Sequence, residues 1–320
     1  MPYPIRCFEP GSVYFVTNRC MQSRLLLRPS PQINSIVGAT LARALTLFPT
    51  IDLFAYVFAS NHFHMLLRPR DCDAATVSDF VAYVEANVAR RVGRIVKWDG
   101  RFWGRRFSAE PVLDNEALVG RLQYILSHGV KEGLTERVAD WPGLSCTAEL
   151  TSGVVRLFDW MDEAARNKKG FTAGAPGARK YVTRYALKLT PLPCWQGVTQ
   201  REQQRLVGEL ITEIETRARA ERNGKPVLGV EAVLAQDPLD KPLRTNISPR
   251  PLCHAASAQL RESFRAASRA FVCAYRTVSA LFRQGDLKVD FPPHCFRPTL
   301  PWKWRISALS TADPGITATS

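Results

Sequence analysis

Residues 51–59 (Ile-Asp-Leu-Phe-Ala-Tyr-Val-Phe-Ala) and 62–68 (His-Phe-His-Met-Leu-Leu-Arg) are two apolar runs separated only by Ser60-Asn61. A two-residue link can only reverse the chain, so this spacing predicts a pair of antiparallel strands. Helical periodicity flanks the pair on both sides. Ser30 as N-cap and Pro31 at the first helical position precede Ile33, Val37, Leu41 and Leu45, and Val77, Phe80, Val84, Val88 and Val92 recur between about 74 and 94. Val13-Tyr14-Phe15-Val16-Thr17 reads as a strand before the first helix, and residues 106–113 as one after the second. A third helix follows, with Asp114 or Asn115 as N-cap. The order β-α-β-β-α-β-α predicts the α+β class: a ferredoxin-like split βαβ antiparallel sheet covered by helices on one face, with one extra helix.

Chemistry-bearing residues concentrate on two of these elements. Strand side chains alternate, so His62 and His64 point the same way around Phe63. Tyr124 and His128 stand four residues apart and share one side of the third helix, with Arg121 a turn earlier. Leu118, Leu122 and Ile125 form that helix's inward face, and Gly129 reads as its C-cap. Taken singly, two histidines on a strand are most often a surface pair, and a tyrosine on an apolar helix is most often packing. The chain holds five histidines, however, and three fall in these two places. Neutral imidazoles ligate divalent metals and can leave coordination positions open for a phosphate. A tyrosine hydroxyl has an ordinary pKa of about 10, so as a nucleophile it needs a base or a nearby cation. Arg121 can serve as that cation and is also a candidate DNA contact; no base is identifiable in the sequence.

Net charge is +14 with a pI near 9.7, which points to a polyanionic partner. Residues 1–150 carry 17 Lys+Arg against 14 Asp+Glu, whereas residues 151–320 carry 26 against 15. Two features could meet nucleic acid. Residues 101–107 interleave Arg101, Arg105 and Arg106 with Phe102, Trp103 and Phe107, a pattern equally suited to stacking on unpaired bases and to anchoring a hairpin loop in a core. Residues 255–284 read as a helix stopped by Gly285, in which Arg261, Arg265, Arg269, Arg276 and Arg283 form one stripe. Glu262 is the only acid there, and Leu260, Phe264, Phe271, Tyr275, Val278 and Phe282 lie on another face.

The eight cysteines show no CxxC pair or zinc spacing, which suits a reduced, cytoplasmic and nucleoid-associated protein. The first residues lack the apolar stretch of a signal peptide, and no apolar run is long enough to span a bilayer. The expected organisation is a first domain over 1–150, a linker over 151–180 that is rich in Gly and basic residues from 165 on, a basic and mostly helical extension over 181–306, and a disordered tail over 307–320. Within the extension, Thr199 and Glu202 make a capping box for a helix running towards Asn223-Gly224.

Several spaced motifs carry a family resemblance over about residues 13–145. They are Val13-Tyr14-Phe15-Val16-Thr17, Asn61-His62-Phe63-His64-Met65-Leu66-Leu67, Phe102-Trp103-Gly104-Arg105-Arg106-Phe107, Tyr124-Ile125-Leu126, Gly133-Leu134 and Asp140-Trp141-Pro142. Together they resemble the single-tyrosine HUH transposases, and most of all the REP-associated tyrosine transposases. The resemblance implies that Tyr124 attacks a DNA strand to form a 5′-phosphotyrosine, that His62 and His64 hold Mg²⁺ or Mn²⁺ with the residue four after the tyrosine, and that the substrate is single-stranded or hairpin DNA of a repetitive element. That branch tends to carry Asn followed by Pro where this chain has His128-Gly129, a change that keeps a metal donor. Rival readings are a domesticated hairpin-binding protein that does not cut, a histidine-rich hydrolase or nucleotide transferase, and a relaxase or replication initiator. Leu66 occupies the third histidine position of a histidine-triad site, and a helicase domain is missing. Oligomeric state is not legible.

Overall fold

A computed structural model describes residues 5–170, 172, 176–242 and 251–299. Its first elements are β1 (Val13–Arg19), α1 (Pro31–Leu47), β2 (Ile51–Phe58), β3 (His62–Pro69) and α2 (Thr76–Ile95). Next come β4 (Ser108–Val112), α3 (Asn115–Leu126), α4 (His128–Lys131), α5 (Thr147–Ser152), β5 (Arg156–Met161) and α6 (Glu163–Lys168). β6 (Val182–Leu187), α7 (Gln200–Arg222), α8 (Val230–Ala235) and α9 (Ala258–Gln284) complete the described chain.

The predicted α+β class and antiparallel sheet hold. The strand order is β2-β3-β1-β4 with every neighbouring pair antiparallel, which is the ferredoxin-like arrangement. The caps expected at Ser30, Asp114 and Thr199 accept hydrogen bonds from Ile33, Ala117 and Glu202 backbone N–H groups respectively. Gly285, at φ +113, ends α9 in the left-handed conformation that favours glycine. β2 is buried along its whole length, so it reads as a continuous apolar run and not as an alternating one.

Register decides which side chains share a face. Thr17 pairs with His64 and Arg19 with His62, so these side chains project together with Phe15 and its partner Glu110. Tyr14, Val16, Asn18, Phe63 and Met65 take the opposite face. There the Phe63 ring meets Trp103, whose indole N–H donates to the Glu85 carbonyl of α2, and α1 packs beside α2. α3 lies across the sheet from them, against β2 and β3. Helices on one face were expected; the structure has them on both, because the apolar stripe Leu118, Leu122 and Ile125 needs its own sheet face to bury against.

Three further differences from the sequence expectations have local causes. Gly129 is not a C-cap but lies inside α4, where an added Cβ would come within 3.0 Å of the Trp141 ring and the Thr135 hydroxyl; the chain turns instead at Gly133, with φ +68. The expected linker contains β5 and α6. β5 pairs with β6 into a hairpin that packs on α1, and Phe158 fills the space over Gly38, where a Cβ would fall 2.2 Å from the ring. Arg156 of β5 joins Glu149 (2.8 Å) and the Ser145 carbonyl (2.6 Å), while Tyr56 of β2 donates to the same carboxylate at 2.5 Å. Thirdly, α7 packs against α3, α4 and α5, so the helical extension shares one apolar core with the sheet through Leu192, Trp195, Val207 and Ile214. Residues 300–306, with Trp302 and Trp304, and the expected tail 307–320 lie outside the described residues.

One buried polar group on the α2 side has a pH consequence. Asn18 donates to the Glu85 carboxylate at 2.7 Å, and burial, partly offset by that bond and by Arg6, pushes the Glu85 carboxyl up to about 7. A raised folded-state pKa means stability that is complete below the unfolded value of about 4.3 and is lost as pH climbs through 7. Glu85→Gln keeps the acceptor without the charge, so we expect its melting temperature to exceed that of the parent above pH 7 and to converge with it near pH 4.

Candidate active site

The period-two alternation of β3 and the single turn between Tyr124 and His128 bring four rings together. The ligand-capable nitrogens of His62, His64 and His128 all lie within 4.8 Å of one another. Ring centroids are 4.9 Å apart for His62 and His64, 4.5 Å for His62 and His128, and 5.1 Å for His64 and His128. Tyr124, half-buried, stands 5.2 Å from His64 and 6.0 Å from His128. Phe15 supports the group from β1, stacked on His64 at 5.0 Å and edge-on to Tyr124 at 5.8 Å.

The donor chemistry suits a cation. His64 and His128 are 5% and 3% exposed; both ring nitrogens of His64 and Nδ1 of His128 lack hydrogen-bond partners among the described residues. An unpaired buried polar atom costs about 1–3 kcal/mol, so three in one cluster are a standing penalty, and an ion held by one nitrogen of each ring relieves part of it. His62 differs: its Nδ1 lies 2.6 Å from the Asn61 side-chain oxygen, and the Asn61 amide N–H donates in turn to the Ser23 carbonyl at 3.0 Å. That relay makes Nδ1 the protonated nitrogen and leaves Nε2 with its lone pair free. Burial, followed by the other imidazoles and Arg19, holds His62 well below the ordinary histidine range. Burial, His128 and nearby cations do the same for His64, and burial with Lys131 and Arg19 brings His128 to about 4. All three are therefore neutral at pH 7, the form that binds metal.

The phenol is less prepared. Burial, with the charge of Glu132, raises the Tyr124 pKa above 10, while Arg121 and Arg19 act in the opposite direction. The Arg121 guanidinium carbon lies 5.0 Å and the Lys131 Nζ 4.6 Å from the centre of the Tyr124 ring. The Tyr124 hydroxyl has no hydrogen-bond partner among the described residues.

Not every residue expected at a nucleic-acid surface reaches one. Trp103 is 8% exposed, spends its N–H on Glu85 and packs on Phe63 and Phe102, which leaves no open ring face for a base. The aromatics of 101–107 are thus anchors, and Arg101 and Arg105 project outward from them while Arg106 is partly covered. Gly104 donates its N–H to the Arg19 carbonyl at 2.8 Å, stitching this arginine loop to the rim of the histidine cluster. Arg265, Arg269, Arg276 and Arg283 are exposed on α9, and Arg261 bonds the Ala255 and Ala256 carbonyls at the helix start. No ion pair among the described residues involves these five.

Four residues near the cluster escaped the sequence reading: Arg19, Lys131, Glu110 and His254. Arg19 lies two positions beyond the expected end of β1 and faces His62; one more alternation along the strand would have shown it. Lys131 is seven residues after Tyr124, the spacing of two helical turns, so its signal was available. His254 meets the Phe15 ring at 5.4 Å, with its Nε2 3.9 Å from the Glu110 carboxylate, and nothing local could link it to β4. It arrives there because its backbone pairs with Pro111 and Leu113.

No family model matches the chain, and none of the curated proteins does. Among solved structures, a REP-associated tyrosine transposase bound to a REP hairpin is similar at 20% identity and a TM-score of 0.38, over 46% of this chain and 82% of that one. A candidate transposase from Deinococcus radiodurans R1 is similar at 18% identity and a TM-score of 0.27, over 37% of this chain and 91% of that one.

The Asn61 relay can be tested apart from any reaction. Asn61→Ala, which frees the His62 ring to turn, should lower Mn²⁺ affinity about 10–100-fold relative to the parent chain. His64→Ala should lower it further, both by calorimetric titration under one set of conditions.

Proposed function

We propose that this protein is a metal-dependent single-stranded DNA transposase and endonuclease that cleaves and rejoins strands through a 5′-phosphotyrosine on Tyr124, with hairpins of repetitive elements as its targets. The observation that carries this reading is the tyrosine ring 5.2 Å from His64, on the rim of a cluster of three neutral imidazoles. A cluster for structural metal binding or for hairpin recognition alone needs no such neighbour.

The Tyr124 oxygen attacks phosphorus and gives up its proton to solvent; the bond from phosphorus to the 3′-oxygen breaks, and that oxygen leaves as a 3′-hydroxyl after taking a proton from solvent. The new phosphotyrosyl bond keeps the energy of the old one, so a 3′-hydroxyl can reverse the step and join strands. Arg121 and Lys131, flanking the ring, favour the phenolate as it forms. A divalent ion on His62, His64 and His128 would polarise the phosphate and offset its developing charge; three nitrogen donors suit Mn²⁺ or a softer ion better than Mg²⁺.

For the DNA grip we propose Arg101, Arg105 and Arg106 at the rim of the site and the α9 stripe beyond it. Arg261 to Arg283 spans 22 residues of helix, about 33 Å at 1.5 Å per residue, close to one turn of a duplex stem.

Incubated with labelled hairpin DNA and Mn²⁺, the parent chain should give a labelled band at protein mass on a denaturing gel, and Tyr124→Phe should give none. Cleavage that survives Tyr124→Phe would sink the tyrosine assignment in favour of a hydrolase; tight binding without cleavage on every hairpin tried would favour the binding-only reading. For the arm, Arg269→Gln with Arg276→Gln should flatten the slope of log affinity against log salt by about 0.7–0.9 for each phosphate that is no longer neutralised.

A further inference from the structure

Positive charge surrounds the three imidazoles. Arg19 directly faces His62 across the β1–β3 pair, Lys131 follows His128 by three residues, and Arg121 lies over the Tyr124 ring. No carboxylate oxygen joins the three nitrogens among the described residues, and neither Arg19 nor Lys131 is in an ion pair there. Two acids lie on this side without joining the nitrogens: Glu110 shares the sheet face but lies against His254, and Glu132 acts at Tyr124. A dication placed on these donors meets three like charges and, among the described residues, no carboxylate ligand, and like charges repel it. The same three cations attract a phosphodiester, which would supply the missing negative charge.

From this arrangement we infer that the cluster is an anion-dependent metal site: Arg19, Arg121 and Lys131 keep divalent-metal affinity low in the free protein, and a phosphodiester and the metal each raise the other's affinity. The inference deepens the phosphotyrosine reading, on which it rests for the identity of the anion. Linkage requires the two enhancements to be equal, and the usual range of such couplings is about 5–150-fold.

The test uses the full chain carrying Tyr124→Phe, so that the oligonucleotide stays intact. Free Mn²⁺ is followed by its electron paramagnetic resonance signal with and without a hairpin oligonucleotide, with the His64→Ala chain and the oligonucleotide alone as background. Oligonucleotide affinity is followed by fluorescence anisotropy with and without Mn²⁺. We expect at least a fivefold gain in each direction, of matching size. Arg19→Gln should tighten Mn²⁺ binding to the DNA-free protein while weakening oligonucleotide binding, whereas Arg19→Lys should keep the parent behaviour. A merely structural role for Arg19 would weaken both ligands together. Should Arg19→Gln not fold, Lys131→Gln is expected to move both affinities in the same opposed directions. Equal Mn²⁺ affinity with and without the oligonucleotide, or weaker Mn²⁺ binding in both Gln variants, would overturn the inference. A covalent band from the parent chain with no coupling would leave the phosphotyrosine reading standing alone; coupling without a band would do the reverse.

Discussion

The pairing of β1 with β3, Thr17 opposite His64 and Arg19 opposite His62, is the constraint from which the site follows. Side chains alternate along a strand, so a slip of one residue would carry both histidines to the α2 side and bring Phe63 out in their place. Apolar burial opposes that slip: Val16, Phe63, Met65 and Leu67 are fully buried. Asn18, also fully buried, adds direction, since its amide reaches both the Glu85 carboxylate and the Arg105 carbonyl only in this register. The histidines are held at one face because the other face is so thoroughly committed.

A second point of leverage is Asp114. One carboxylate oxygen accepts the Ala117 N–H that begins α3, and the other accepts the Ala256 N–H just ahead of α9. Asp114 therefore caps the helix that carries Tyr124 and also holds the backbone just ahead of Ser257, the cap of the helix that carries the arginine stripe. His254, two residues before Ala256, reaches the Phe15 ring that supports His64 and Tyr124. Among the described residues, the segment leading into α9 is joined to the histidine face by the backbone bonds of His254 with Pro111 and Leu113 and by the Asp114 carboxylate.

Much of this was legible beforehand. The strand and helix periods, the caps at Ser30, Asp114, Thr199 and Gly285, and the convergence of His62, His64, Tyr124 and His128 are local patterns, and local patterns survive folding when each element is long and strongly periodic. The misreadings lie where a partner distant in sequence decides the outcome. Gly129 looked like a helix stop, yet it is small because Trp141 packs against it. Trp103 looked as much like a stacking platform as an anchor, and Phe63 and Glu85 settled the choice. Residues 156–161 sat in an expected linker because what makes them a strand is pairing with 182–187, a partner distant in sequence.

From the sequence alone came the class of fold, the four rings of the candidate site and the charge imbalance that points to a polyanion. Spacing and composition suffice for these, since they depend on the geometry of single elements. Tertiary structure decided the charge field around the rings. Arg19 enters from a neighbouring strand, Lys131 from the end of α4, and Glu110 and His254 meet from positions 144 residues apart. Electrostatic environment depends on distances through space and on burial, neither of which is a property of any one segment. Hence the candidate ligands could be named from the chain, while their neutrality and their ring of cations had to wait for the fold.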